Sequence, residues 1–258
     1  MTFTDALGRE HAPAPDARIV SLVPSITELL CDLGLSQKLV GRTGFCIHPA
    51  GVVQAIPKIG GTKDVNFDKI RKLAPSHLVV NIDENEKPTV EKLAEFVPNI
   101  VVTHPVTPLD NLALARLMGG VFCVQQAAED WCAAFAAEYA ALQAAPKGPP
   151  QRVLYCIWQD PWMSISRDTY IARMLEQIGW RIPDLGAARY PRFDWTPELL
   201  AQIDQVLLSS EPYRFTEAHA DALEKQIGKP VQLVDGEMMS WYGSRALQGL
   251  RYLRGLGA

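Results

Sequence analysis

The sequence lacks the features that mark several large classes of protein. No apolar run reaches the roughly 20 residues that a membrane-spanning helix needs. Basic residues do not predominate either, since 25 Lys and Arg stand against 29 Asp and Glu, for a formal net charge of -4. A broad basic surface for binding nucleic acid is therefore excluded. The composition, with 48% hydrophobic and 21% charged residues, is typical of an ordinary soluble protein.

The sequence also has few cysteines and no recognisable export signal in its first residues. The five cysteines lie at positions 31, 46, 123, 132 and 156, an odd number without paired spacing. This pattern predicts free thiols in a reducing compartment rather than a disulfide framework. The first 17 residues show no basic start, apolar core or small-residue cleavage site, so the chain as written is predicted to be cytoplasmic. A periplasmic location is the alternative if a signal peptide precedes the printed sequence.

The usual catalytic motifs are missing. There is no nucleophile elbow and no metalloprotease helix, and Gly60-Gly61-Thr62 is too short to cradle a phosphate. Only Ser166-Arg167-Asp168 and Asp83-Glu84 offer candidate acids, bases or nucleophiles. We therefore predict no catalytic residues and favour a binding protein, with a cytosolic enzyme or chelate carrier on the same scaffold as the alternative.

What the sequence does contain is one long helical stretch. Residues 121–145 hold no Pro or Gly, are rich in Ala, and stop at Pro146. This predicts a single helix of about 20 or more residues, with Trp131 and Phe135 on its apolar face. Strand and helix patterns alternate on both sides of it. Two α/β lobes joined by a rod and one larger sheet with a crossover helix are both compatible with that pattern.

A weak internal repeat favours the two-lobe interpretation. The strand predicted at 18–22 is echoed at 152–156, and the helix predicted at 66–73 is echoed at 196–203. We therefore predict an α/β fold of two Rossmann-like lobes, with an N-terminal lobe at 1–120, a backbone helix at 121–147 and a C-terminal lobe at 148–258. Ser25 and Glu28 have the spacing of a capping box at the start of the first helix.

Loops after predicted strands carry the candidate ligands. In the first lobe these are Cys46, His48, Asp83, Glu84 and His104. They could bind a transition metal or supply an axial histidine to a chelate, but their spacing matches no compact metal motif, and we predict no metal site. In the second lobe, aromatic residues accompany Arg167, Arg192, Arg214 and Arg245. These arginines either clamp an anionic ligand or pair with their neighbours Asp168, Asp194 and Glu211.

The order of these motifs resembles one family. It runs through Thr4–Gly8, Arg18–Leu29, Val40-Gly41, Ile59–Thr62, the strand at Leu78–Val80, the long helix and Trp241. This order is similar to that of the helical-backbone metal receptors, which bind cobalamin, haem or ferric siderophores for ABC importers, and it is closest to the cobalamin-binding branch. The resemblance implies a ligand held in a cleft between two lobes that show little hinge motion. It departs from that branch at Thr62 and Asn81, where tryptophan is common.

The resemblance also implies one docking acid on each lobe, facing arginines of the importer's membrane subunits. Matching the motifs places these acids at Asp68 and Glu198. The alternative is that each acid only stabilises its helix, since a carboxylate in the first turn is worth about 0.3–1 kcal/mol.

From these observations we predict a receptor for a corrinoid or another metal chelate. The expected partners are that chelate and, through docking, an ABC transporter; the chain is expected to be a monomer without a tightly bound cofactor. The predicted ligand-binding residues are Phe45, His48, Thr62, Asn81, Trp158, Trp162, Arg167, Tyr213, Arg214, Trp241 and Arg245.

Overall fold

The computed structural model describes residues 2–257. The chain divides into two compact units, each with a parallel β-sheet of its own. The first unit comprises residues 1–105, 109–135 and 242–244, and the second comprises 106–108, 136–241 and 245–258. Two separate sheets exclude a single large sheet with a crossover helix. The predicted fold class, two Rossmann-like lobes, is confirmed, whereas the residue bounds of the predicted domains stay a prediction.

The first unit is built on a four-stranded, all-parallel sheet in the order β4-β3-β5-β6. Its elements are β1 (Phe3–Thr4), β2 (Glu10–His11), β3 (Ile19–Ser21), α1 (Pro24–Asp32), β4 (Leu39–Arg42), α2 (Ala50–Val53), α3 (Phe67–Leu73), β5 (His77–Asn81), α4 (Lys87–Ala94), β6 (Asn99–Thr103) and α5 (Asp110–Val121). Strands β3 and β5 are buried along their whole length. Their runs of Ile, Val and Leu suit a parallel sheet whose two faces are both covered.

The second unit has the sheet order β11-β10-β7-β8, with β9 also pairing with β7. Only β8 is antiparallel. The remaining elements are α6 (Gln125–Ala144), β7 (Gln151–Trp158), β8 (Met163–Ser164), α7 (Tyr170–Glu176), β9 (Trp180–Arg181), α8 (Pro197–Gln202), β10 (Gln205–Ser209), α9 (Glu217–Ile227), β11 (Val231–Val234), α10 (Gly236–Ser240) and α11 (Ser244–Leu256). The division between the units falls within α6, after Phe135.

Two predictions of local structure are wrong. The long helix begins at Gln125 rather than Val121, because α5 continues to Val121 and Cys123 adopts a left-handed backbone conformation, with φ of 60°. A Cβ on Gly119 would lie 2.4 Å from the Ala128 Cβ, so close packing of α5 and α6 forces this corner. The capping box is also absent: Val23 is the N-cap of α1, no side chain caps the helix, and Ser25 and Glu28 are both buried.

All five cysteines are free thiols, as the sequence predicts. Within residues 2–257, the helices are too short or too polar for any of them to cross a membrane.

Candidate functional site

The loop after β4 is shaped by a buried arginine. Arg42 is 4% exposed, and its guanidinium donates hydrogen bonds from Nε to the Val53 carbonyl at 2.9 Å and from Nη1 to the Thr43 carbonyl at 3.0 Å. Thr43 is the first residue of the loop, and Val53 is the last residue of α2, the helix that follows it. A charged group that saturates backbone carbonyls in this way fixes the loop's path. Arg42 therefore serves the loop's conformation and leaves ligand contacts to its neighbours.

The same loop brings Phe45 against Gly61, the residue before Thr62. The Gly44 N–H donates to the Gly60 carbonyl at 2.7 Å, and a Cβ on Gly61 would lie 3.4 Å from the Phe45 ring. Gly60 has φ of +114°, and a Cβ there would approach the Asp64 carbonyl to 2.4 Å, so only glycine fits. The Phe45 side chain is 63% exposed. An exposed aromatic ring on a loop braced by backbone hydrogen bonds is well placed to contact a ligand.

Asn81, in contrast to Phe45, is buried and hydrogen-bonded within the protein. It is 2% exposed; its Nδ2 donates to Thr103 Oγ1 at 3.3 Å and its Oδ1 accepts from the Asp83 N–H at 2.8 Å. Asn85 extends this network, because its Nδ2 donates to the Thr62 carbonyl at 3.0 Å. The two asparagines join the ends of β5 and β6 to the Thr62 loop. That Asn81 contacts a ligand stays a prediction, although its amide already has partners within the protein.

The first-unit groups with metal-binding chemistry do not converge. Cys46 is fully buried between the hydroxyls of Thr27 and Thr43, at 3.1 and 3.2 Å from Sγ, and burial raises the pKa of its thiol. His104 Nε2 lies 3.5 Å from the Asp83 carboxylate. Among the residues described, no three His, Cys, Asp or Glu side chains are grouped so that they could hold a metal ion. His48 is half-buried near the end of the loop after β4, where a cis His48-Pro49 bond directly precedes α2.

Glu84 has a different partner from its neighbour Asp83. Its carboxylate accepts a short hydrogen bond from the buried hydroxyl of Tyr242. Burial, followed by the charge of Glu84, raises the pKa of Tyr242 well above its usual value, so the phenol stays protonated and acts as the donor. The next residue is held too, since the Gly243 N–H donates to Asn111 Oδ1 at 2.6 Å. The Asp83-Glu84 pair thus anchors neighbouring structure.

A cavity of about 360 Å³ lies elsewhere in the first unit, against the N-terminal hairpin, β6 and α5. His104 lines it, but none of the predicted ligand-binding residues does.

The second unit gathers aromatic residues at the end of β7 and in the loops after β7 and β10. Trp158 meets Tyr213 edge to face with ring centroids 5.4 Å apart, and Tyr213 lies 4.6 Å from Phe215. Trp162 stacks on Phe215 at 5.8 Å, with an angle of 6° between the rings. We call Trp158, Trp162, Tyr213 and Phe215 the aromatic cluster. Phe215 is its buried base, whereas Trp158 is 40% exposed.

Trp241 and Arg245 form a second group, at the start and just beyond the end of the loop between α10 and α11. The Arg245 guanidinium carbon lies 5.5 Å from the Trp241 ring centroid, and Arg245 Nη1 lies 3.1 Å from Glu237 Oε2. The indole N–H donates to Glu211 Oε1 at 2.7 Å. Arg245 therefore pairs with an acid while its guanidinium lies over the aromatic ring, an arrangement in which cation–π attraction contributes.

Arg167 and Arg214 are the other two predicted ligand-binding arginines. Arg167 is exposed and donates from Nε to the Ile182 carbonyl at 3.1 Å. Arg214 is exposed and makes no hydrogen bond or ion pair with any residue from 2 to 257, so it is available to an anion. The alternative pairings of Arg167 with Asp168 and of Arg214 with Glu211 are wrong among the residues described: Asp168 lies 3.4 Å from Arg173, and Glu211 accepts a hydrogen bond from Trp241.

Asp68 and Glu198 occupy the same position on their respective helices. Each is the second residue of its helix, α3 or α8, and each follows an N-cap side chain that accepts a backbone N–H: Asn66 from Lys69 at 2.9 Å and Thr196 from Leu199 at 3.2 Å. Both acids are exposed. Asp68 has a loose contact with Arg71 at 3.7 Å. The match in local structure is closer than the sequence repeat alone suggests.

Sequence reasoning missed three residues that shape these loops: Asn85, Glu211 and Tyr242. Glu211 follows the end of β10 by two residues. The sequence indicates it only as a possible ion-pair partner of a neighbouring arginine. Its acidic side chain at a strand's carboxyl end was the available signal. Nothing local marks Asn85 or Tyr242, whose partners Thr62 and Glu84 are distant in sequence.

Comparison with known proteins places the chain in context. The vitamin B12-binding protein of Vibrio vulnificus is 30% identical over 83 residues, which cover 32% of this chain and 30% of the relative. The chain thus matches less than a third of the length of this curated relative. Solved structures share the fold over more of the chain. The periplasmic vitamin B12 binding protein of Vibrio cholerae has a TM-score of 0.75 at 18% identity, covering 94% of this chain and 97% of that chain.

A periplasmic heme-binding protein from a Roseiflexus species gives a TM-score of 0.74 at 23% identity, covering 93% of this chain and 97% of that chain. The family model described as periplasmic binding protein matches residues 19–198. The resemblance found in the sequence is thereby confirmed for family and fold. Because this match spans more than two thirds of the 258 residues, the protein belongs to the periplasmic binding protein family.

Proposed function

We propose that this protein is the substrate-binding receptor of an ABC-type importer and that it binds a large, partly planar metal chelate of the corrinoid or haem class. The observation that carries the proposal is the pairing of aromatic rings with arginines in the second unit. Tyr213, which meets Trp158 edge to face, is followed directly by the exposed Arg214, and Trp241 lies beneath Arg245. Aromatic rings stack on a planar macrocycle, and guanidinium groups bind the carboxylate or amide edges that such ligands carry.

The relatives support the same ligand class. One is named for vitamin B12 and another for heme, and both compounds are flat, metal-bearing macrocycles with polar edges. In the first unit, the exposed ring of Phe45 against Gly61 offers a further surface of this kind. The metal belongs to the ligand in this proposal, which agrees with the dispersed arrangement of Cys46, His48 and His104 in the part of the chain described.

The alternative of a cytosolic enzyme has less support. An enzyme needs a nucleophile or base within hydrogen-bond reach of a second group that activates or orients it. Within residues 2–257, Ser166 Oγ makes no hydrogen bond to a histidine or carboxylate. Asp83 and Glu84 contact His104 and Tyr242, and Glu84 in particular fixes neighbouring structure. The contacts of Asp83 and Glu84 hold neighbouring residues in place and do not form a catalytic arrangement. A receptor, in contrast, needs only a surface complementary to its ligand.

The ligand proposal is tested by calorimetric titration of cyanocobalamin, cobinamide, hemin and ferric siderophores. Trp241→Ala should weaken binding of the matching compound about tenfold to a hundredfold, because a stacking face on an aromatic side chain is worth on the order of 1–3 kcal/mol. Trp241→Phe, which keeps an aromatic face, should lose much less. Asp68→Ala is the matched control and should bind like the wild type. The proposal fails if every compound binds more weakly than about millimolar, or if Trp241→Ala binds as tightly as the wild type.

We further propose that Asp68 and Glu198 dock on arginines of the importer's membrane subunits. Supporting this, both acids are exposed and occupy the second position of equivalent helices, one in each unit. Docking on an importer requires that the protein work in the periplasm, the compartment for which its family is named. We therefore propose a periplasmic location. We propose that a single copy of the chain carries one ligand to the transporter.

A further inference from the structure

We propose that Glu211 is a positioning residue that fixes the indole ring of Trp241 for ligand stacking. The inference rests on the proposed function in one respect, namely that Trp241 contacts the ligand. It adds a residue with a defined task to that site.

The geometry of the Glu211 carboxylate carries the inference. Its Oε1 accepts hydrogen bonds from Trp241 Nε1 at 2.7 Å and from Ser240 Oγ at 2.8 Å. An indole has a single polar atom, at its edge. A hydrogen bond to that atom fixes the rotation of the ring about its two side-chain torsions and so sets the direction of its faces.

Glu211 can perform this task because its own backbone is held. The Glu211 N–H lies 3.4 Å from Ser209 Oγ, and the Gly236 N–H donates to Ser210 Oγ at 2.8 Å, which ties the loop after β10 to the start of α10. A Cβ on Gly236 would lie 2.5 Å from Glu211 Cγ and 2.9 Å from its backbone nitrogen. Glycine at 236 thus permits a close approach that a larger residue would prevent.

The surroundings of the carboxylate make the hydrogen bond strong. Burial raises the pKa of Glu211, as do the nearby charges of Glu237 and Asp235, whereas the donors Ser240 and Trp241 lower it. A carboxylate that is removed from water and given few partners forms strong bonds with those it has. The indole is then held at its edge by Glu211 and flanked by Arg245, itself anchored 3.1 Å from Glu237. Two half-buried acids therefore orient the Trp241–Arg245 pair.

The first arm of the test needs no ligand. Protein labelled with ¹⁵N should give one indole N–H signal for each of the six tryptophans, and Trp241→Phe identifies the signal of Trp241. We expect Glu211→Leu to shift that signal and to speed its exchange with water at least about tenfold, because the acceptor is lost. Glu211→Gln keeps an acceptor oxygen and should retain most of the protection. Glu217→Leu is the matched control at an exposed acid on α9 and should change neither property.

The second arm measures affinity for cyanocobalamin and hemin. Whichever compound binds, Glu211→Leu should weaken it about tenfold, approaching Trp241→Ala, whereas Glu211→Gln should stay within about threefold of the wild type. The double variant Glu211→Leu/Trp241→Ala should bind no more weakly than Trp241→Ala, since the two residues act through one ring.

Two results would overturn the inference. One is a Trp241 signal that keeps its frequency and exchange rate in Glu211→Leu. The other is wild-type affinity in Glu211→Leu while Trp241→Ala is impaired. Failure of both compounds to bind the wild type would instead refute the proposed function, and the spectroscopic arm would still decide whether Glu211 holds the indole.

Discussion

His77 should make the stability of the protein depend on pH. It is the first residue of β5 and is 5% exposed; its Nδ1 lies 2.9 Å from Ser76 Oγ, and its ring meets Phe122 edge to face at 5.5 Å. Burial, together with the nearby His11, lowers the pKa of His77 from 6.5 to about 4. Because the site disfavours a charged imidazole, the folded protein resists protonating it.

The sign of the effect follows from proton binding. Between pH 6.5 and about 4, the unfolded chain binds a proton at His77 and the folded chain does not. The contribution to stability is therefore fully present above pH 6.5 and is lost as the pH falls to about 4. One pKa unit corresponds to about 1.4 kcal/mol, so the loss should reach roughly 3 kcal/mol, a large fraction of the stability of a typical domain.

Urea denaturation of wild type and His77→Gln at several values between pH 7.5 and 4 measures this contribution. We expect the free energy of unfolding of the wild type to fall with pH about 3 kcal/mol more than that of the variant. Other groups titrate in both proteins and cancel in the difference. Asp5 is one of them: burial acts to raise its pKa, but hydrogen bonds from Val102, Arg9, His11 and Leu7 outweigh this and lower it. Parallel pH profiles for the two proteins would refute the reasoning.

Two further predictions concern thiols and docking. Thiol titration under denaturing, non-reducing conditions should find five free thiols, and a count of one or three would contradict this prediction. In the native protein the half-buried Cys123 should react before Cys31, because burial and the nearby Asp32 raise the pKa of Cys31 to about 11. The double variant Asp68→Ala/Glu198→Ala should keep full ligand affinity and lose at most about 2 kcal/mol of stability, yet abolish ligand-dependent stimulation of the cognate transporter's ATPase; undiminished stimulation would reject the docking proposal.

Several parts of the fold could be predicted from the sequence because their signals are local. The strand indicated at Leu78–Val80 lies within β5, and the helices predicted at 66–73 and 196–203 are found as α3 and α8. Each signal depends on a few adjacent residues, through an apolar run or the spacing of apolar positions. The order of these motifs was also enough to identify the family.

Two predictions from local sequence patterns were wrong because tertiary packing favours a different local structure. The Ala-rich run across Cys123 has helical character throughout, yet the chain turns there because Ala128 packs directly on Gly119. Ser25 has the spacing of a cap but lies buried inside α1. The sequence is equally compatible with a continuous helix or a turn at Cys123, and with a capping or a buried Ser25. Only the tertiary contacts decide between these alternatives.

The candidate site shows the same division. The sequence by itself determined which residue types follow the strands: aromatic residues and arginines in the second unit, and acids and histidines in the first. Only the tertiary structure decided their partners. It joined Glu211 to Trp241, thirty positions apart, and Glu84 to Tyr242, while it enclosed Asn81 in a network with Thr103. Such pairs form because a buried polar group must find a hydrogen-bond partner wherever the fold supplies one, and that choice is made in space rather than along the chain.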